Sequence, residues 1–326
     1  LASVSETVVD PAAATLRRRG RFSPGDAFLY GITLAAALSA LVLLVLLARE
    51  LIADAWPAVQ EFGLGFVTSR TWDPSTDVYG AATFLFGTAL TSFAALLLAA
   101  PLSIAIALFL TELAPRWLRG PVGTLVEMLA AVPSVVLGLW GILVMGPWIV
   151  EHVGPFLHRT LGWTPFFKTE PATGPSMLSA ILILTIMMVP IISSICRELF
   201  LNVPRELREG ALALGATRWE VVRGVIFPYA RAGVAAALIL GLGRAIGEAI
   251  AVTQVIGNNE AITWNLFDPG DTLASRIASL YVGATTKLQI SSLVYLALIL
   301  LAFSLVVNLL ARVIINRVAA RHQVSA

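Results

Sequence analysis

Arg244 and Glu248 stand four residues apart in "ALILGLGRAIGEAIAVTQVIG", an otherwise apolar run long enough to cross a bilayer. On one helix that spacing puts both side chains on a shared face, where they can pair. Pairing offsets the cost of a charge at the centre of a membrane, about 2.5–3.5 kcal/mol per residue on insertion scales. A guanidinium also stays charged at physiological pH and presents a planar fork of donors that fits two oxygens of an oxyanion. Two uses are open: a structural ion pair fixing helix packing, or a fixed positive site on a pathway for an anion. The second is favoured, because a buried ion pair is a poor source of stability.

Other chemistry is thin. No G-x-x-x-x-G-K-[ST] run is present, so the chain does not bind ATP through a phosphate-cradling loop. "GLGRAIG" has one residue too many to be a dinucleotide fingerprint and lies in an apolar span rather than after a strand. His152, His158 and His322 have no metal-ligand spacing, and the single cysteine, Cys196, excludes an internal disulfide. Cys196 ends an apolar run and reads as a packing residue. The polar loops hold no Ser-His-Asp set or paired carboxylates. The expectation is no enzyme, no cofactor and no metal, with energy supplied by a partner chain.

The elements that must position Arg244 and Glu248 are membrane helices. Of 326 residues 58% are hydrophobic and 13% charged, with mean hydropathy +0.85, whereas soluble domains are roughly 25% charged. Apolar runs of spanning length fall at roughly 28–48, 82–111, 121–150, 176–196, 231–254 and 290–311. Pro101, Pro133 and Pro147 predict kinks or breaks in the second and third. Glu127 would lie inside the third span, where it could partner an arginine or line the pathway, and a structural pair is favoured. Gly138, Gly141, Gly241, Gly243 and Gly247 either allow close helix approach or leave room for a pathway.

Charge sets the orientation. With the N-terminus inside, 15 Lys/Arg fall on the inner side and 6 on the outer, so both termini are expected in the cytoplasm. Residues 1–27 read as a disordered cytoplasmic tail feeding an uncleaved signal-anchor helix. Residues 28–316 form the membrane domain, and 317–326 a cytoplasmic C-terminal tail.

The inner loop at 197–230, "RELFLNVPRELREGALALGATRWEVVRGVIFP", breaks the apolar pattern. Pro204 can open a helix over 205–214, and Gly215 offers the left-handed residue that ends it. Thr217 and Glu220 make a capping box for a second helix, and Pro228 marks the approach to the fifth span. Both ends are tethered close to the membrane, so a docking surface for a cytoplasmic partner fits better than DNA binding.

That loop resembles the EAA motif of importer permeases of the ATP-binding-cassette class. Glu209-Gly210-Ala211, Gly215 and Val225-Ile226-Phe227-Pro228 keep its spacing, although Gly210, Val225 and Phe227 depart from its letters. The wider match, through "YGAATFLFGTALTS", "FLTELAPRWLRGPVG", "LAAVPSVVLGLWGILV", "GLGRAIGEAIAVTQVIGN" and "LFDPGDTLASRIA", resembles the phosphate-specific PstC family and covers most of 79–280. Tyr281-Val282-Gly283 departs from the acidic stretch expected there. The resemblance implies an all-α, six-span, MetI-like type I permease in the bacterial plasma (inner) membrane, forming half of a phosphate pathway. It implies a second homologous permease (PstA type), two cytoplasmic ATP-binding subunits (PstB type) and an extracytoplasmic phosphate-binding protein (PstS type). Glu209, Gly210, Ala211, Gly215, Arg218, Trp219 and Pro228 would serve ATPase coupling, and Arg244 and Glu248 phosphate transport. The rivals are a permease for another oxyanion, such as molybdate or sulfate, and an ion-coupled secondary transporter.

Overall fold

The computed structural model describes residues 24–323; the expected disorder of the N-terminal tail falls on residues outside these, except for the last few. The chain divides into two compact units, residues 1–53 and 54–326. In the first, residues 24–53 are the leading part of helix α1 (Pro24–Phe62), with Leu41, Leu43 and Leu44 all exposed. An apolar, outward-facing surface is what hydrocarbon solvates.

The second unit continues through α2 (Gly65–Thr68), α3 (Ala82–Leu113), α4 (Arg116–Ala130), α5 (Ser134–Leu161) and α6 (Met177–Leu201). It goes on through α7 (Arg205–Ala213), α8 (Arg218–Gly247), α9 (Ile250–Val255), α10 (Leu273–Leu280) and α11 (Lys287–Gln323). Six helices, α1, α3, α5, α6, α8 and α11, are long and apolar enough to cross a membrane. Among the described residues extended pairing is limited to two isolated bridges, Asp73 with Val78 and Gly257 with Gly270.

Helix α6 is the hub, packed against α3 on one side and α8 on another. The α3 face that meets it carries buried Ala95, Ala99, Ser103 and Ala107. Spaced four apart, these small residues form one stripe, so backbones approach closely without a hydrophobic drive from water. Polar atoms bridge the seam: Ser103 Oγ donates to the Val189 carbonyl at 3.3 Å, and Thr185 Oγ1 lies 3.4 Å from the Ala95 carbonyl.

A second cluster is built on Phe66, Trp72, Tyr79, Phe84 and Tyr295. Into it enters Arg276 of α10, its guanidinium 5.4 Å from the Trp72 ring and 4.9 Å from the Phe84 ring. Glu260 accepts a hydrogen bond from that guanidinium, and Asp271 lies 3.6 Å away. Gly87 lets the Asp271 carbonyl approach α3, since a Cβ there would stand 1.9 Å from that oxygen. Burial pushes the Asp271 carboxyl up to about 6, opposed mainly by the Arg276 charge.

Three boundaries differ from the sequence reading. The third apolar run is broken at 131–133: α4 ends at Ala130, and the span is α5, which continues to Leu161. Pro133 ends the first piece because the residue before a proline avoids helical geometry. The fifth span starts earlier, at Arg218, and stops at Gly247, with α9 a separate helix. α11 runs to Gln323, through most of the expected tail.

With six crossings both ends of the chain emerge on one side, and the charge bias makes that side the cytoplasm. In a Cys196→Ala background, Ser75→Cys should react with an impermeant thiol reagent from outside intact cells, and Arg218→Cys should not. The reverse pattern would invert the orientation. A second expectation concerns Asp271. A carboxyl raised from 3.8 to about 6 favours folding below its ordinary value, and that contribution is lost as pH rises towards 6. Asp271→Asn should therefore flatten the thermal stability profile between about pH 4 and 6, measured on detergent-purified protein.

Candidate anion pathway and coupling surface

Arg244 occupies the last turn of α8, where the negative end of the helix dipole favours a cation. Glu248 is the residue that caps α8, and its backbone is extended (φ −72°, ψ 118°). The two therefore do not share one helix face: the helix breaks between them, and the pair spans the break. Arg244 Nη2 lies 3.9 Å from Glu248 Oε2, a loose contact at the limit of an ion pair. Glu248 Oε1 also accepts from the Ala251 N–H at 3.4 Å, at the start of α9.

The Arg244 side chain is 43% exposed and that of Glu248 11%. Both open into a cavity of about 1040 Å³ walled by one face of α8 and one face of α11. Aliphatic residues such as Ala236, Ile239, Leu240, Leu305 and Leu309 form most of the wall, with Asn308 and Arg312 the other polar groups. Low-polarity walls strengthen the pull of a guanidinium on an anion. The glycines divide between the two uses open to them. A Cβ on Gly138, Gly141 or Gly241 would meet neighbouring side chains at 2.6–2.7 Å, so these permit packing. Gly243 and Gly247 line the cavity and leave it room.

The loop after α6 has the expected build. Pro204 caps α7, Gly215 is left-handed at φ +86°, and Thr217 with Glu220 forms a reciprocal capping box. Glu209, Gly210, Arg218 and Pro228 are exposed, while Ala211 packs partly against the core. Leu214 is 92% and Trp219 68% exposed, an apolar pair on a polar loop that suits a protein partner. Pro228 does not end the helix. The wider turn over Val222–Ile226 just before it accommodates a residue with no N–H to give.

One charge pair fixes this loop to the spans, and a second ties α4 to α6. Arg208 Nη1 donates to Glu112 Oε1 at 2.9 Å, and its Nη2 donates to the Phe200 carbonyl, tying α7 to the ends of α3 and α6. Arg197 pairs with Glu127 at 3.1 Å, which gives Glu127 the arginine partner expected of it, though on α4 rather than within a span. Sequence reasoning missed Arg208, Glu112 and the lining role of Asn308 and Arg312. Glu112 in "FLTELAPR", at the end of an apolar run, was the available signal for the first pair.

The family model described as "Binding-protein-dependent transport system inner membrane component" matches residues 99–320. The phosphate transport system permease protein PstC of Mesorhizobium japonicum is 43% identical over 94% of this chain and 94% of its own. The chain belongs to the PstC permease family. PstC of Haemophilus influenzae is also 43% identical, over 86% of this chain and 91% of that one. Among solved structures, a bacterial alginate ABC transporter chain, in complex with a periplasmic protein, matches at TM-score 0.60 and 18% identity over 90% of this chain and 96% of that one. That likeness supports the fold. As a PstC-family member the chain is a multi-pass inner-membrane component of an ABC transporter, and a transport subunit rather than an enzyme.

The candidate coupling loop has a direct test. Gly215→Val forces a β-branched residue into a left-handed backbone at a cost of about 1–3 kcal/mol. Uptake should fall at least severalfold while membrane insertion is unchanged, with ATPase co-purification reduced or its hydrolysis uncoupled. Normal transport by this variant would remove Gly215 from the coupling role.

Proposed function

We propose that this chain forms half of the translocation pathway of an ATP-driven inorganic phosphate importer. Its partners are a PstA-type permease, two PstB-type ATPases docked on the loop at 197–230, and a PstS-type binding protein outside. ATP binding and hydrolysis move the coupling helix α7, and the spans alternate between outward and inward openings. Arg244 attracts the anion, and Glu248 holds the guanidinium in place when no anion is bound.

The observation that carries this reading is the exposure of Arg244 within an apolar-walled cavity, beside a carboxylate held only loosely. A structural pair is closed by a short, well-aligned hydrogen bond, as the half-buried Arg208 and Glu112 are at 2.9 Å. Arg244 instead keeps donors free for oxygens. Its permanent charge needs no proton to bind or release phosphate. The PstC relatives carry phosphate transport in their names, which favours phosphate over molybdate or sulfate.

The test is uptake of radiolabelled phosphate by the whole complex in vesicles, with ATP inside and binding protein outside. Arg244→Gln should reduce uptake at least tenfold, and Arg244→Lys should transport poorly, having charge without the fork. Because Arg244→Gln strands Glu248, the double variant with Glu248→Gln is the control. Assembly should recover in the double variant while uptake stays absent. Full uptake by the double variant would show a merely structural pair. Unlabelled sulfate or molybdate that competes better than phosphate would reassign the substrate.

A further inference from the structure

Arg312 lies towards the inner end of the last span, where a positive charge fits the orientation of the chain, yet it lines the same cavity as Arg244. Its position follows from two antiparallel helices. Gly243 of α8 faces Asn308 of α11, whose side-chain amide stands 4.0 Å from where a Gly243 Cβ would be. Arg244 is the next residue along α8, towards the outer face. Arg312 is one turn beyond Asn308 towards the inner face, about 6 Å along the axis at 1.5 Å per residue. The two guanidinium-bearing positions therefore lie in sequence along one wall, with Asn308 between them.

The settings of the two arginines differ. Arg244 has Glu248 beside it, whereas among the described residues no carboxylate pairs with Arg312, which is exposed on the cavity side of α11. An anchor arginine at a span's inner end usually snorkels away to the interface. A guanidinium facing an aliphatic cavity without a counter-ion offers its donors to whatever anion enters. Arg317 and Arg321 follow in the sequence, so the charge bias that orients the last span does not depend on Arg312.

We propose that Arg312 is a second oxyanion contact, an inner station to which phosphate passes from Arg244 before release into the cytoplasm, with Asn308 supplying a neutral donor between the two. This rests on the reading of the cavity as the phosphate pathway. Two stations in series lower the barrier to leaving the first, because an anion departing Arg244 is met by a second donor set rather than by aliphatic wall.

The experiment uses the whole transporter, purified in a Cys196→Ala background with Arg312→Cys and treated with thiol reagents before reconstitution. Arg312→Cys should lower phosphate uptake at least tenfold. Aminoethyl methanethiosulfonate, which restores a positive charge, should recover much of it, whereas the methyl and sulfonatoethyl reagents should not. Inorganic phosphate should slow the labelling. Unchanged uptake by Arg312→Cys, or equal recovery with the methyl reagent, overturns the proposal. If Arg312→Cys fails to assemble, Arg312→Lys carries the test, since it keeps the boundary charge. A severalfold rise in the apparent KM for phosphate then supports the station, and wild-type kinetics overturn it. Arg244→Gln run in parallel separates the two levels. If it transports normally the pathway reading itself fails, and if it alone is defective only the inner station fails.

Discussion

The constraint on which the rest depends is the cost of carrying a charge within or beside hydrocarbon. Several arginines drawn towards the helical body are answered by a carboxylate or by a cavity. Arg208 meets Glu112 at 2.9 Å and Arg197 meets Glu127 at 3.1 Å. Arg276 is held between Asp271, Glu260 and two aromatic rings. Arg244 departs from this pattern with a 3.9 Å contact and a side chain that opens to the cavity. Desolvation makes an incompletely paired buried charge expensive, so the loose pair sits where space for water or an anion relieves that cost.

On the proposed function, the close pairs also give force a route. Arg208 lies on α7, one residue before Glu209 of the candidate docking loop, and reaches both Glu112 at the end of α3 and the Phe200 carbonyl near the end of α6. Helices α3 and α6 share the small-residue seam at the centre of the bundle, and α6 packs on α8, which carries Arg244. On that reading a displacement of α7 passes through these bonds to α3 and α6, and by packing from α6 to α8, one wall of the cavity. Close-packed helices shift as bodies rather than deform continuously. This contiguity is the physical basis on which an ATPase below the membrane could move a site within it.

Much of this was legible in the sequence, for identifiable reasons. Six apolar runs appear as six helices because backbone satisfaction in lipid leaves a run of that length no other choice. Gly215 and the Thr217–Glu220 box kept their roles because caps and left-handed turns are local. Where non-local packing decides, the reading fell short. The break after Gly247 was hidden because no proline or polar run marks it, and the spacing of Arg244 and Glu248 read as one helix face. The α4–α5 break was foreshadowed by Pro133, but the apolar run masked which side of it spans. The partners of Glu112 and Glu127 are 96 and 70 residues away in sequence, beyond any periodicity. Arg312 read as topology because a charge near a span's end has that ordinary explanation, and only the shared wall with Arg244 gives it another.

The looseness at Arg244 also has a kinetic logic on the proposed pathway. A site that grips an oxyanion with every donor becomes a trap, since flux needs binding strong enough to admit the ion and weak enough to release it. Glu248 works against trapping because it competes for the same guanidinium. When phosphate leaves, the carboxylate takes up donors that would otherwise face aliphatic wall, and departure is cheaper by that amount. The helix break supports this exchange. Glu248 lies outside the regular turn of α8 and contacts the start of α9, so small rotations about its backbone move its carboxylate towards or away from Arg244. A pair set rigidly on one helix face at i,i+4 would lack this freedom. On the proposed pathway, the departure from ideal helical pairing is thus the feature by which one arginine serves in turn as a partner to the protein and as a binding site for the anion.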